Sequence, residues 1–228
     1  MWGNKVVGLL GGKDIRNMNK TKIEWADYSW NPIKGLCPVG CWYCYAKSIY
    51  RRFQLDPKPW LDIAELNEAV HTKRTGKRVF VCSTFELFHP VADQWRDMIF
   101  DVIQRRPDLT FVVLTKMPER IDRYLPKNVW LGVSVTDATA TWRINRLLEL
   151  SAGRRFVSYE PMLGRIYHLP VGLDWVIIGQ LTGAKKRPPE KDWVERLVGY
   201  VKEQGVPVFL KNNLAEIWGK PLIQEFPI

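Results

Sequence analysis

Residues 37–44, with the sequence CPVGCWYC, contain three of the four cysteines of the chain. Cys37, Cys41 and Cys44 follow the spacing C-x3-C-x2-C, and Tyr43 precedes the last of them. A closed structural zinc site uses four protein ligands, so three thiols leave one coordination position open. Three cysteines likewise hold three irons of a 4Fe-4S cluster and leave the fourth iron open. The segment therefore predicts a loop that binds a reactive cluster.

Two other interpretations of the three thiols stay open. A histidine from elsewhere in the chain can complete a tetrahedral zinc site, because zinc accepts mixed cysteine and histidine ligands. The thiols can also remain reduced and bind no metal. A short motif is a hypothesis until its structural context is known.

The chain beyond this loop alternates apolar runs with amphipathic segments. Residues 110–115, TFVVLT, form a continuous apolar run typical of a parallel strand covered on both faces. Residues 93–105 instead place Ile99, Val102 and Ile103 at helical spacing. We predict strands near residues 30–34, 79–83, 110–115, 129–135, 155–160, 175–179 and 206–211, and helices near 45–54, 62–71, 93–105, after Asp137 and near 190–204.

In the helix predicted directly after the cysteines, we expect two apolar side chains, Ile49 and Phe53, to face inward. Lys47, Arg51 and Arg52 would then lie on the exposed side. This orientation would pack an apolar stripe of the helix against the sheet.

The repeated alternation of strand and helix predicts a parallel sheet with right-handed crossovers. We expect an α/β fold: one domain, residues 20–228, forming a full or partial TIM-like (β/α) barrel with about six to seven parallel strands. Residues 1–19 would be an N-terminal extension or an added strand. In such folds the loops after the strands share one face and carry the active site, and the cysteine loop follows the first strand.

Composition is that of a soluble globular protein, with 46% hydrophobic and 25% charged residues among 228. No apolar run has the roughly 18 residues that a membrane span needs, and the N-terminus lacks a secretory pattern. Clustered thiols favour a reducing compartment, so we expect a cytoplasmic protein without membrane contact.

Polar side chains follow several of the predicted strands, where they would line the active-site face. For most of them a satisfied polar group or a helix cap is the alternative role. We predict cofactor contacts for Tyr43, Ser83, Glu86, Ser134 and Gln180, and catalytic roles for His89, Lys116 and Glu160.

The charge of the chain is +10, which favours a polyanionic partner such as nucleic acid. Basic residues in the loops after the strands would form a rim that attracts phosphate groups, and binding through it would fall steeply with salt. The predicted nucleic-acid contacts are Arg120, Arg165, Lys185, Lys186, Arg187 and Lys211.

Cys82 lies inside the strand predicted at 79–83. Cysteine is among the residues most often buried, so we expect a structural thiol there. A fourth metal ligand is the alternative.

The motif CPVGCWYC resembles the C-x3-C-x-aromatic-C motif of radical S-adenosylmethionine enzymes. In that superfamily the open iron binds the amino and carboxyl groups of S-adenosylmethionine, whose cleavage by one electron yields a 5′-deoxyadenosyl radical. The resemblance implies three cluster ligands, Cys37, Cys41 and Cys44, two cofactors, a 4Fe-4S cluster and S-adenosylmethionine, and an electron donor as partner.

Longer segments resemble an uncharacterised family of phage-type proteins with three cysteines. They are KIEWADYSWNPIKG, GCWYCYA, STFELFH, FVVLTKMPERI, NVWLGVSV, RFVSYEPMLG, LDWVIIG and GVPVFLK. This resemblance implies pocket roles for Glu86, His89, Lys116, Ser134 and Glu160. The chain departs from the family at residues 179–183, where GQLTG replaces the usual GGESG, and at Cys82, where asparagine is usual.

A looser similarity of the cysteine loop to spore photoproduct lyases rests on C-x3-C-x-Tyr-C-Tyr alone, which does not determine a substrate. We expect a radical S-adenosylmethionine enzyme that repairs or modifies nucleic acid, DNA before RNA. The rival hypotheses are the same chemistry on a peptide or small metabolite, and a non-catalytic, zinc-stabilised nucleic-acid-binding domain.

Overall fold

The computed structural model describes residues 18–167, 169–183 and 186–228. Their largest feature is a sheet of eight strands. In spatial order these are β1 (Asn19–Lys20), β2 (Tyr28–Trp30), β5 (Arg78–Val81), β6 (Thr110–Thr115), β7 (Val129–Ser134), β8 (Arg154–Tyr159), β9 (Trp175–Ile178) and β10 (Val208–Leu210). The remaining two, β3 (Ile33–Lys34) and β4 (Trp60–Leu61), pair with each other in a separate small sheet.

The strands from β2 to β10 in the large sheet are parallel, and only β1 is antiparallel to its neighbour. Their spatial order follows the chain without reversal. The edges of the described sheet are β1 and β10, which do not pair, so this sheet is open. The prediction of an α/β fold with a parallel sheet is confirmed.

The described residues form six α-helices beside the sheet. The longer helices bury one apolar face against the sheet. For example, α3 buries Ile99, Phe100, Val102 and Ile103. The Asp62 side chain caps α2 by accepting from the Glu65 amide. The helices are α1 (Tyr45–Phe53), α2 (Ile63–His71), α3 (Asp93–Arg105), α4 (Trp142–Leu148), α5 (Lys191–Glu203) and α6 (Ala215–Trp218). No helix of the described residues is long and apolar enough to cross a membrane.

The two faces of the sheet have different cores. Alternate residues such as Val79 and Val81 pack with the helices, whereas Phe80 points to the other side, as the two-residue period of a strand requires. That second face carries an aromatic cluster in which the ring centroids of Trp25 and Phe80 are 4.7 Å apart and Trp175 packs on Phe156. Helices therefore cover one face and aromatic side chains fill the other, as in a singly wound sheet.

The beginning of the sheet differs from the sequence prediction. The first parallel strand is β2, residues 28–30, and not residues 30–34. Ile33 and Lys34 instead pair with Leu61 and Trp60. Pro32 precedes these residues and cannot donate a ladder hydrogen bond, which is consistent with the end of β2 before it.

The strand predicted at 79–83 ends at Val81, because Cys82 adopts a left-handed conformation with φ of 52°. Such a conformation is uncommon for a residue with a side chain. It turns the chain at the end of the strand, and Cys82 itself is buried, as predicted.

The orientation predicted for the first helix is wrong. The structure leaves Ile49 39% and Phe53 61% exposed, and Ala46 is the one buried residue of α1. Helical spacing placed Ile49 and Phe53 on one face correctly, but the described residues do not cover that face.

Candidate cofactor site

A cavity of about 370 Å³ opens at the carboxyl ends of the parallel strands. It receives residues from six of the strand ends and from the cysteine loop, as the topology predicts. Its polar lining includes Ser83, Glu86, Lys116, Ser134, Ser158, Glu160, Gln180 and Lys211. A more open depression of about 480 Å³ lies at the opposite edge of the sheet and is lined by Gln104, Asp108, Asn128 and Trp130 without any thiol. The thiols mark the first cavity as the chemical site.

All three clustered cysteines line this cavity, and each is partly exposed. The Cys44 amide donates to the Cys41 carbonyl at 3.2 Å, which forms a turn directly before α1. Burial raises the pKa of Cys37, partly offset by hydrogen bonds from the Val39 and Glu86 backbones. Among the described residues no group of three His, Cys, Asp or Glu side chains is already arranged as a metal site.

Tyr43 lies at the centre of the cysteine loop, where sequence analysis placed a cofactor contact. Burial raises the pKa of its hydroxyl, and a hydrogen bond with the Cys41 thiol raises it further. Arg143 lies near this hydroxyl and donates to the Ser134 carbonyl at 2.8 Å. Tyr43 is thus a neutral side chain with the Cys41 thiol and the Arg143 guanidinium nearby.

Glu86 connects two chain segments, residues 86–88 and 115–116. One carboxylate oxygen accepts from the Thr115 hydroxyl at 2.6 Å and from the Phe88 amide at 3.2 Å, and the other accepts from the Lys116 amide at 2.8 Å. A carboxylate has about four acceptor positions. Glu86 can therefore accept about one more hydrogen bond, for example from the ammonium group of a ligand.

Lys116 and Ser134 form the next polar group, where Lys116 Nζ donates to Ser134 Oγ at 3.3 Å. Ser134 is buried and Lys116 is partly exposed. Ser83 lies across the cavity and donates to Asn31 Oδ1 at 3.0 Å. These groups offer a cation and hydroxyls to a ligand that carries a carboxylate and a ribose.

Glu160 and Lys211 form an ion pair at the far side of the cavity, with 2.5 Å between Lys211 Nζ and Glu160 Oε1. Glu24 lies 3.4 Å from the same ammonium group. Burial raises the pKa of Glu160 in spite of Lys211. Burial also opposes the charge on Lys211, but the two carboxylates outweigh it, and the pKa of Lys211 is raised. One cation therefore balances two acids.

Three buried polar atoms in the cavity lining have no hydrogen-bond partner among the described residues: Ser158 Oγ, Gln180 Oε1 and Trp25 Nε1. The other polar atom of the Gln180 side chain, Nε2, donates to the Asn213 carbonyl. Buried polar atoms without partners are rare in folded proteins and call for a ligand or water. Together with the three thiols, they fit a cavity that binds a polar cofactor.

Several predicted site residues lie elsewhere. His89 is not in the cavity lining; its Nδ1 accepts from the Val91 amide and caps a short helix, which does not favour a catalytic role. Arg120 is bound to the Phe88 carbonyl and Asp93. Arg165 lies 3.9 Å from Asp192, and Lys186 lies 3.8 Å from Glu216. Arg187 is exposed outside the cavity, and Lys185 lies outside the described residues.

A family model described as a protein of unknown function, DUF5131, matches residues 20–220. The chain belongs to the DUF5131 family. No curated protein and no solved structure shows significant similarity to this DUF5131 protein.

Sequence reasoning missed three residues in the cavity of the DUF5131 protein and one beside it. Tyr45 lines the cavity and donates to the Ser83 carbonyl at 3.2 Å. Ser158, Trp25 and Glu24 were also missed. A serine in the apolar part of β8, residues 156–159, could have indicated Ser158, because its position alternates with Val157 on the helix face. Nothing in the local sequence indicates that residues 23–26 lie across the aromatic face of the sheet.

The four thiols of the DUF5131 protein should differ in reactivity. Cys82 is buried, and burial raises the pKa of its thiol to about 12, whereas the other three are partly exposed. Because the thiolate is the nucleophile, we expect Cys82 to react with Ellman's reagent about 100-fold more slowly than the fastest thiol. Unfolding in guanidinium should make all four react together. Rapid titration of Cys82 in the native protein would contradict its burial.

Proposed function

We propose that this DUF5131 protein is a radical S-adenosylmethionine enzyme, whose 4Fe-4S cluster is held by Cys37, Cys41 and Cys44. The observation that carries this proposal is that all three thiols line one cavity together with the polar ends of the strands. Three thiolates leave one iron open for a ligand. The sequential strand order and the helices on one face support a partial (β/α) barrel, the architecture expected for such an enzyme.

When bound, the cluster and S-adenosylmethionine supply a 5′-deoxyadenosyl radical that abstracts a hydrogen atom from a substrate. The chain binds and orients the cofactor. In this proposal Glu86 would accept a hydrogen bond from its amino group, Lys116 would bind its carboxylate, and Ser134 would bond to a ribose hydroxyl. Gln180 and Ser158 offer unpartnered atoms for further hydrogen bonds.

The substrate proposed is nucleic acid, more specifically DNA, which the enzyme repairs or modifies. The net charge of +10 supports a polyanionic substrate, and Arg187 lies exposed after β9. The ion pairs of Arg120, Arg165 and Lys186 reduce the charge that sequence analysis assigned to the rim. Glu160, which lines the cavity beside Lys211, is the candidate for accepting a proton from the substrate. Free thiols and such a cluster suit a cytoplasmic location.

The test is anaerobic reconstitution with iron and sulfide, followed by reduction with dithionite in the presence of S-adenosylmethionine. We expect about four irons per chain and release of 5′-deoxyadenosine. Short DNA substrates should accelerate this release. Reactions with a peptide or a nucleoside in place of DNA distinguish the substrate classes. Stoichiometric zinc, no iron-sulfur absorption and no cleavage would overturn the enzyme proposal in favour of a zinc-stabilised binding domain.

A further inference from the structure

The exposed face of α1 is unusual among the helices of this fold. Tyr45, Ile49 and Phe53 are spaced four residues apart, so they form one stripe, and they are 54%, 39% and 61% exposed. By comparison, α5 buries Val194, Leu197, Val198 and Val201. An apolar stripe left in solvent beside a functional site marks an interaction surface. We call these three residues the α1 stripe.

The flank of the α1 stripe is positively charged. Lys47, Arg51 and Arg52 belong to the same helix, which contains no acidic residue. Within the described parts of the chain none of the three forms an ion pair; Lys47 Nζ donates to the Gly40 carbonyl at 2.5 Å, and Arg52 lies 5.3 Å from the centre of the Phe53 ring. Most other arginines of the structure have a carboxylate partner, as Arg120 and Arg146 do. The surface therefore complements an acidic partner.

The α1 stripe begins next to the candidate cluster. Cys44 immediately precedes the helix, and Tyr45 lines the cavity. Ile49 and Phe53 do not line it, and Phe53 lies about 12 Å further along the helix axis. A substrate must enter the cavity, whereas an electron carrier needs only to approach the cysteine loop. The direction of the stripe, away from the cavity, favours the carrier.

We propose that the α1 stripe with Lys47, Arg51 and Arg52 is the docking surface for a small acidic protein that carries single electrons. This inference rests on the proposed function, since a cluster of this kind receives one electron for each cleavage. The reduced carrier loses one electron and the cluster gains it, and no atom moves between the two proteins. Apolar contact from the stripe gives a small, weak interface of the kind typical of electron transfer, and the cations increase the rate of encounter.

The test uses flavodoxin, a small acidic flavoprotein, as the probe. Arg51→Glu combined with Arg52→Glu should weaken its binding, measured by interferometry, at least about tenfold and make the remaining binding less dependent on salt. Stopped-flow reduction of the reconstituted protein by reduced flavodoxin should slow by a similar factor. Reduction by dithionite, which needs no docking surface, should stay unchanged.

The matched control is Lys73→Glu combined with Lys77→Glu. These two lysines are exposed before β5, at the opposite ends of the parallel strands, so the control changes the net charge equally but away from α1. It should leave flavodoxin binding within about twofold. Phe53→Ser, which removes an exposed ring without changing charge, should weaken binding while the thermal midpoint stays constant.

Three kinds of result would overturn the docking proposal. The first is flavodoxin binding that is absent in the native protein or equal in both charge variants. The second is a loss of single-stranded DNA binding in the Arg51→Glu, Arg52→Glu variant with unchanged flavodoxin binding, which would assign the surface to nucleic acid. The third is conversion of a dimer to a monomer in that variant, which would assign the surface to a second copy of the chain. Cleavage of S-adenosylmethionine with dithionite would persist in all three cases, which separates this failure from failure of the proposed function.

Discussion

Replacing Cys41 with alanine should reduce the iron bound after reconstitution from about four per chain to less than one, because two thiolates do not hold the cluster. Cleavage of S-adenosylmethionine should fall below detection, at least about 1000-fold. The loop lies at the rim of the sheet and Cys41 is partly exposed, so the fold should persist. Iron analysis, product chromatography and circular dichroism measure the three quantities.

The matched control for this experiment is Cys82→Ala, which removes the buried fourth thiol from the same cavity lining. It should retain the full iron content while losing some stability, because it leaves a small cavity in the core. If iron content were normal in Cys41→Ala and lost in Cys82→Ala, Cys82 would be a ligand and Cys41 would not.

Replacing Lys211 with methionine should lower the free energy of unfolding at pH 7 by about 3 kcal/mol. The change leaves Glu160 and Glu24 without their shared cation in a largely buried place. Chemical denaturation with urea measures the effect. Adding Glu160→Gln to Lys211→Met removes one of the two uncompensated charges and should restore about half of the loss.

The pH dependence of this effect follows from the two pKa shifts. The pKa of Lys211 is raised in the folded protein, so its stabilising contribution is present at neutral pH and is lost as pH rises through that value. The pKa of Glu160 is raised by burial, so ionisation of this carboxyl disfavours the fold, and more so without Lys211. The loss of unfolding free energy in Lys211→Met should therefore become smaller as the pH falls from 7 to about 5. A loss of unfolding free energy that does not change with pH would indicate lost packing instead of uncompensated charge.

The parallel strands were the most predictable part of this protein. Residues 110–115 form a strand with the predicted bounds, because a short apolar run rich in β-branched residues is typical of a strand buried on both faces. The position of the cavity followed as well, since the ends of parallel strands meet at one edge of the sheet. Glu86, Lys116, Ser134, Glu160 and Gln180 all lie there, as the topology required.

The failures concern features that depend on distant parts of the chain. Periodicity placed Ile49 and Phe53 on one helix face but could not show whether another element covers that face. The basic rim was counted from sequence positions, which do not reveal that Arg120 meets Asp93 from another segment. His89 follows a strand, but its ring accepts a hydrogen bond from the nearby Val91 amide and does not line the cavity.

The left-handed turn at Cys82 has a practical consequence for spectroscopy. Asparagine adopts this conformation more readily than most residues. Cys82→Asn is therefore compatible with the backbone of the turn, and it would leave Cys37, Cys41 and Cys44 as the complete set of cysteines. Every thiol label in that variant would then report on the candidate cluster loop alone.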